Sequence, residues 1–481
     1  MMFKFTQKLL TVFMLVSLSF SAQAELPASV ADALKKSGIA QISVAIFVQA
    51  VDVATPAISH NAEKSLNPAS VMKLVTTHAA LDLLTPSYRW KTEIYRDGNL
   101  NNGVLNGNLI IKGYGDPSFK AQEFWRLLMS LQQAGVKEIK GDFVIDKSYF
   151  AKNVGIRKTF DNETWRAYNA EPSAFLVNGR NTSFKFVATE SNVLVSQEFE
   201  LPEVQIINKM KLANDACGDW RNRFGYTVKA TSSCGNVDCT KNGGAAVAFN
   251  GTFSPDCGER YLELSVFDDE QYAFYTFKKL WLELGGKFNG KLRIQELPIG
   301  ASKVIEQVSD PLGYVIRDIN KWSNNLMARQ LLLTIAAEKT GMPATEAKGM
   351  LAVTNWLAQK NLKFDELVID NGSGLSRIER ISAQHLGQLL VAAYHSAIMP
   401  ELLASLPILA QDGTIKKRLN DSAANSRAHL KTGSLDGVSA IAGYVLDSQN
   451  KRQVLVMLIN DKNAGASKNA QDALIEWVYL H

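Results

Sequence analysis

Along the chain the spacing of hydrophobic positions changes several times, and each change marks an element. Apolar residues at helical spacing over residues 30–36 predict a short helix, and the alternation of Ile42, Val44, Ile46 and Val48 predicts a strand over residues 41–50. Residues 74–81 form the next apolar run. It follows Asn67-Pro68, a capping side chain and a residue whose φ suits a first helical turn, and it should end near Thr85-Pro86. From Trp90 the runs shorten into β-like stretches at 91–95 and 104–112, split by Asn101-Asn102-Gly103. A helix over 121–134 and a strand over 141–146 follow, and residues 188–260 are rich in small and polar side chains. Beyond Pro311 the helical period returns at 312–319, 324–337, 345–359 and 381–395. Strands at 428–432, 438–445 and 453–459 and a helix at 470–479 close the chain, which carries no internal repeat.

The apolar run at residues 9–20 reads differently. Lys4 and Lys8 precede it and Ala22-Gln23-Ala24 follows, the pattern of a secretory signal cleaved after Ala24. The run is short for a membrane span, so an exported, periplasmic protein with at most peripheral membrane association is expected. What remains is long enough for two or three domains. The formal charge of +5 includes both leader lysines and falls to about +3 without them, too mild to indicate nucleic acid. All four cysteines, Cys217, Cys234, Cys239 and Cys257, lie in the small-residue region; in an exported chain this predicts two disulfides, with the pairing open. A zinc site is the weaker alternative, because no histidine and no Cys-x-x-Cys pair accompanies them.

The chemistry centres on Ser70 and Lys73, which the predicted helix places one turn apart, so that the amine can activate the hydroxyl without a histidine. The same spacing at Ser448 and Lys451 sits in a polar turn between two strands and reads as solvated surface. Ser323-Asn324-Asn325 stands at a helix start, where serine and asparagine also serve as caps. Lys431-Thr432-Gly433-Ser434 enters a strand, where glycine admits a ligand backbone and the lysine and hydroxyls can hold a carboxylate. Its counterpart, Lys339-Thr340-Gly341, closes a helix ahead of Pro343. The six histidines fall near no Gly-x-Ser-x-Gly elbow and form no His-Glu-x-x-His, and His78 reads as a packed helix residue. Gly113-Tyr114-Gly115-Asp116 lacks the Gly-Lys-Ser/Thr of a phosphate loop, so no metal and no cofactor is expected.

In this order the three motifs match the Ser-x-x-Lys, Ser-x-Asn and Lys-Thr-Gly signature of penicillin-recognising serine enzymes. Together with residues 67–95, 113–118, 320–333, 413–418 and Asp370-Asn371-Gly372-Ser373-Gly374-Leu375-Ser376, the chain resembles the D-alanyl-D-alanine carboxypeptidase/endopeptidase family of penicillin-binding protein 4 type. The resemblance implies an α/β (α+β) fold with a β-lactamase-like catalytic domain split in sequence. Its implied divisions are a signal at 1–24, a catalytic domain at 25–90 and 295–481, an inserted domain at 91–187 and 261–294, and a nested third domain at 188–260. It implies peptidoglycan peptide stems as substrate and β-lactams as inhibitors, while homodimerisation is left open.

The implied roles are as follows. Ser70 is the nucleophile, Lys73 its base, Ser323 a proton relay, and Asn325 a ligand of the acyl chain. Lys431, Thr432, Gly433 and Ser434 form the carboxylate site, and the N–H groups of Ser70 and Ser434 form the oxyanion hole. Asn324 stands where the β-lactamase form of the motif has aspartate. Two competing readings are a β-lactamase, against which the long insertion argues, and a non-catalytic wall-binding protein, which would not need three intact motifs.

Overall fold

The computed structural model describes residues 26–155, 161, 163–230 and 243–481. The expected leader and the residues Cys234 and Cys239 lie outside them. A five-stranded antiparallel sheet carries Ala428–Leu435, Val438–Leu446, Arg452–Asn460, Val44–Ala50 and Ile58–His60 side by side in that order. The first strand of the chain thus completes a sheet made by its last three, with Phe47 opposite Val456.

Both faces of this sheet are covered, which is why its central strands read as unbroken apolar runs. Ile46, Leu455, Met457 and Ile459 pack with the terminal helices Ala28–Lys36 and Lys468–Leu480 through Val30, Leu34, Leu474 and Val478. Phe47, Val454, Val456 and Leu458 face a second core shared with Lys73–Leu84, Leu312–Lys321, Asn325–Thr340, Glu346–Gln359 and Ala383–Tyr394. The helix Lys73–Leu84 is enclosed on every side, so its buried set includes Lys73, Thr76, Thr77 and His78 beside the apolar residues.

The chain leaves this body at Trp90 and comes back at Ser309. The two ends are clasped: Trp90 N–H donates to Ser309 Oγ at 3.0 Å and Ser309 N–H to the Trp90 carbonyl at 2.9 Å. The outgoing strand Lys91–Arg96 pairs antiparallel with the returning strand Ser302–Val308. Between them lie a mixed sheet of Leu292–Ile294, Phe143–Asp146, Leu109–Gly113, Lys91–Arg96 and Ser302–Val308, a smaller four-stranded sheet, and two three-stranded sheets. Phe143 stacks on Phe277 at 4.1 Å, and the same hydrophobic cluster runs on through Phe184, Phe186 and Phe249.

Several expectations are corrected. Residues 41–43 form a 3-10 turn, Gln41–Ser43, before the strand begins at Val44. The stretch 104–112 is two strands, Val104–Asn106 and Leu109–Gly113, because Gly107 approaches Gly98 so closely that a Cβ on it would lie 2.6 Å from that backbone. The helices Asp269–Glu283 and Met399–Ser405 were not expected from the pattern. In Asp269–Glu283 the run Gln271 to Phe277 is buried without interruption, leaving little polar contrast to read. Of the two expected disulfides, Cys217–Cys257 is formed, and the remaining two cysteines are outside the described residues. Among the described residues no helix is long and apolar enough to cross a membrane.

Candidate active site

Ser70 sits in the single 3-10 turn Ala69–Met72, which runs directly into Lys73–Leu84. Ala69 just before it has φ 46°, a left-handed conformation that strains a residue with a Cβ by roughly 1–3 kcal/mol. Asn67 holds the turn in place. Its Oδ1 accepts the Ala69 N–H at 2.8 Å and its Nδ2 donates to the Ser376 carbonyl at 2.8 Å. Its backbone N–H donates to Asn460 Oδ1 at 2.9 Å, and Asn460 Nδ2 donates back to the Asn67 carbonyl at 2.9 Å. The expected N-cap role of Asn67 is therefore corrected: it braces the turn ahead of the helix, and no side chain caps it.

Lys73 is fully buried, and its ammonium meets three acceptors: Ser70 Oγ at 2.9 Å, Asn325 Oδ1 at 2.6 Å and the Ser373 carbonyl. Those are all the hydrogen bonds an ammonium can donate. Burial first, then the Lys431 charge, push its pKa well below the usual lysine value, while Glu379 opposes them.

Ser323 has φ 58° and stands outside the helix Asn325–Thr340. Asn324 is the cap of that helix, its Oδ1 accepting the Met327 N–H at 3.0 Å. The middle letter of Ser323-Asn324-Asn325 thus has a local structural task, which aspartate performs equally well. Asn325, the first helical residue, is left to reach Lys73.

Lys431 lies on the strand Ala428–Leu435 and donates to Ser323 Oγ at 2.9 Å and to the Thr432 carbonyl at 2.6 Å. Burial lowers its pKa to about 7. Thr432 Oγ1 is 2.8 Å from Thr414 Oγ1, and Ser434 is exposed. Gly433 is where the strand and the Ser70 turn touch: a Cβ there would lie 2.7 Å from the Pro68 carbonyl oxygen and 2.9 Å from Ser70 N. Ser70, Lys73 and Asn325 therefore form one hydrogen-bonded set, Ser323 and Lys431 another, and the strand edge closes against the turn that bears Ser70. Such a site can activate a hydroxyl, relay a proton and bind an anion with no metal.

The Ser373 carbonyl and Thr414 were not singled out from the sequence. A carbonyl has no side-chain signature; the available signal was Gly372 and Gly374, with φ 73° and 81°, flanking Ser373. His78 is edge-on to Trp356 at 4.9 Å, its pKa lowered to about 4 by burial, which fits a packed residue. Ser448 and Lys451 lie in the expected turn, and Gly341 ends Asn325–Thr340 as its C-cap.

The model of the D-Ala-D-Ala carboxypeptidase 3 (S13) family matches residues 26–479. The chain belongs to that family. As an S13 protein it is a serine hydrolase of the D-Ala-D-Ala carboxypeptidase type. It is 25% identical over 426 residues to the D-alanyl-D-alanine carboxypeptidase DacB of Haemophilus influenzae, covering 87% of this chain and 86% of that protein. It is 26% identical over 438 residues to the D-alanyl-D-alanine carboxypeptidase of Actinomadura sp. (strain R39), covering 89% and 80%. The crystal structure of penicillin binding protein 4 from Haemophilus influenzae superposes with a TM-score of 0.76 at 23% identity, over 94% of this S13 chain and 99% of that one, which shows the shared fold.

Proposed function

We propose that the protein acts on peptidoglycan peptide stems, removing terminal D-alanine and cleaving D-alanyl cross-links through an acyl-enzyme on Ser70. The observation that carries this reading is the Lys73 amine hydrogen-bonded to both Ser70 Oγ and Asn325 Oδ1, with Gly433 against the Ser70 backbone. Neutral Lys73 takes the Ser70 proton as Oγ bonds to the substrate carbonyl carbon, and the oxyanion forms against the N–H groups of Ser70 and Ser434. Ser323 gives its proton to the departing amine as the C–N bond breaks and takes in exchange the proton that Lys73 received, leaving Lys73 neutral again. Asn325 holds the acyl chain, and the Lys431 ammonium with Thr432 and Ser434 holds the terminal carboxylate of an uncross-linked stem. Water then splits the ester and restores the Ser70 hydroxyl. A β-lactam, entering the same way, leaves no amine to depart and so occupies Ser70 as inhibitor.

The same reading divides the chain into a catalytic domain at 25–90 and 295–481, an inserted domain at 91–187 and 261–294, and a third domain at 188–260, exported to the periplasm by the leader at 1–24. The clasp between Trp90 and Ser309 supports the boundary at residue 90 and moves the return from 295 to 309, because Ser302–Val308 pairs with Lys91–Arg96 in the inserted sheet.

The test is labelling by a fluorescent penicillin with product analysis on cross-linked and uncross-linked muropeptides. Wild type should label stoichiometrically and release D-alanine, and Ser70→Ala should do neither. Rapid catalytic turnover of nitrocefin would favour a β-lactamase instead. Absence of labelling, with activity unchanged in Ser70→Ala, would favour a non-catalytic wall-binding protein.

A further inference from the structure

Glu379 is buried at 0% exposure, and no step above uses it. Its Oε1 accepts the N–H groups of Asp370 at 3.2 Å, Asn371 at 3.0 Å and Gly372 at 3.0 Å, three consecutive donors of one loop. Its Oε2 has no hydrogen-bond partner among the described residues. A fully enclosed carboxyl left half unsatisfied is costly, and such an arrangement calls for a reason beyond packing.

The loop that this carboxyl gathers is the one that reaches the nucleophile helix. The Gly372 carbonyl accepts from Thr76 Oγ1 at 2.7 Å, and the next carbonyl, Ser373, accepts from Lys73 Nζ. Gly374 presses so closely on the Ser70 turn that a Cβ there would lie 1.9 Å from the Ala69 carbonyl oxygen. Asn371 stiffens the bend, its Oδ1 accepting the Ser373 N–H at 2.9 Å. Donors at 370–372 thus converge on one oxygen behind the loop, while its front, residues 372–374, touches Thr76, Lys73 and Ala69 in turn.

We infer that Glu379 is a positioning residue for acylation: by gathering the N–H groups of residues 370–372, it aims the Ser373 carbonyl at Lys73 and sets a buried carboxyl behind the amine. The inference rests on the proposed roles of Ser70 and Lys73. Of the charged groups acting on Lys73, Lys431 comes from the strand and Glu379 from this loop, while Asn325 from the helix is neutral. Lys431 adds to the effect of burial in lowering the lysine pKa, and Glu379 raises it. Burial raises the Glu379 carboxyl itself, the N–H groups of Asn371, Asp370 and Gly372 pull it back, and the Asp370 charge raises it further. Removing the acceptor and its charge should therefore slow acylation and let Lys73 lose its proton at lower pH.

The experiment compares wild type with Glu379→Ala, Glu379→Gln and Glu379→Asp by the rate constant for acylation with a fluorescent penicillin, expressed per titratable active site and measured across pH. Glutamine keeps an oxygen of the same reach and should stay within about threefold of wild type. Alanine should be at least about tenfold slower per site at neutral pH, with the acidic limb of its profile moved to lower pH. A role in folding alone would lower the number of active sites but leave the per-site constant and the limb where they were, and that result overturns the inference. So does a glutamine variant as slow as alanine. If Glu379→Ala gives no folded protein, Glu379→Asp decides, since it withdraws the carboxyl by one methylene: slower per-site acylation supports the inference and a wild-type value overturns it. Failure of wild type to label would bring down the acyl-enzyme reading and this inference together. Normal labelling of wild type with an unchanged alanine variant brings down this inference alone.

Discussion

Gly433→Ala tests whether the strand edge and the Ser70 turn form one catalytic surface. The added Cβ would lie 2.7 Å from the Pro68 carbonyl oxygen, 2.9 Å from Ser70 N and 3.0 Å from Val71 N, where ordinary contact begins near 3.4 Å. All three neighbours are backbone atoms of the turn that Asn67 pins, so no flexible side chain can give way. Strand and turn must separate by about half an ångström. The proposed oxyanion donors, Ser70 N–H and Ser434 N–H, stand on the two sides of that seam, so the gap between them opens. Complete loss of one oxyanion donor costs about 100- to 1000-fold in rate, and this displacement is partial. Acylation should slow by roughly 10- to 100-fold, equivalent to about 1.4–2.7 kcal/mol in the barrier. Stopped-flow or gel-based labelling with a fluorescent penicillin reads this directly, and thermal melting reports whether the fold has suffered. Gly465→Ala is the control, because its Cβ would meet nothing within 4 Å. Acylation by Gly433→Ala within twofold of wild type, in protein that melts normally, would refute the placement of the oxyanion site at this seam.

Three further outcomes follow from the same geometry. With the Lys431 pKa lowered by burial to about 7, its ammonium is lost as pH rises through neutrality, so KM for a stem bearing a free carboxylate should climb above about pH 7. Lys431→Ala should raise KM at low pH and flatten that dependence, and steady-state kinetics across pH will show either pattern. Asn67→Ala removes two side-chain hydrogen bonds from the strained turn and should cost about 1–3 kcal/mol, read by urea unfolding, with acylation slowed as well. Replacing Cys217 and Cys257 together should destabilise the region around them by about 2–4 kcal/mol and leave penicillin labelling of Ser70 intact, as limited proteolysis and labelling side by side will reveal.

How far the letters carry can be judged residue by residue. The sheet and most helices near the site were legible because a buried strand and a helix impose different periods on apolar residues; Val454 to Leu458 and the run after Pro311 are examples. Ser70 and Lys73 were legible because residues three apart on a helical turn are neighbours, and the 3-10 turn that bears Ser70 keeps that relation at 2.9 Å. The contacts of Lys73 with Asn325, and of Lys431 with Ser323, came from motif order and resemblance, since no local rule joins residues so far apart.

Much of what could not be read around Lys73 is made by backbone. The Ser373 carbonyl that receives Lys73, the N–H groups that converge on Glu379, and the amides beside Gly433 belong to every sequence, and only the fold selects them. Glycine is where such contacts show in the letters, because a backbone approach closer than a Cβ permits excludes every other residue. Gly374 against Ala69 and Gly433 against Ser70 are two such marks on the one turn that bears Ser70, contributed by separate segments. A serine hydrolase of this design is therefore specified twice: by side chains that do chemistry, and by glycines that let distant backbone close on them. Substituting the second kind should slow the enzyme, while leaving every side chain of the proposed site in the sequence.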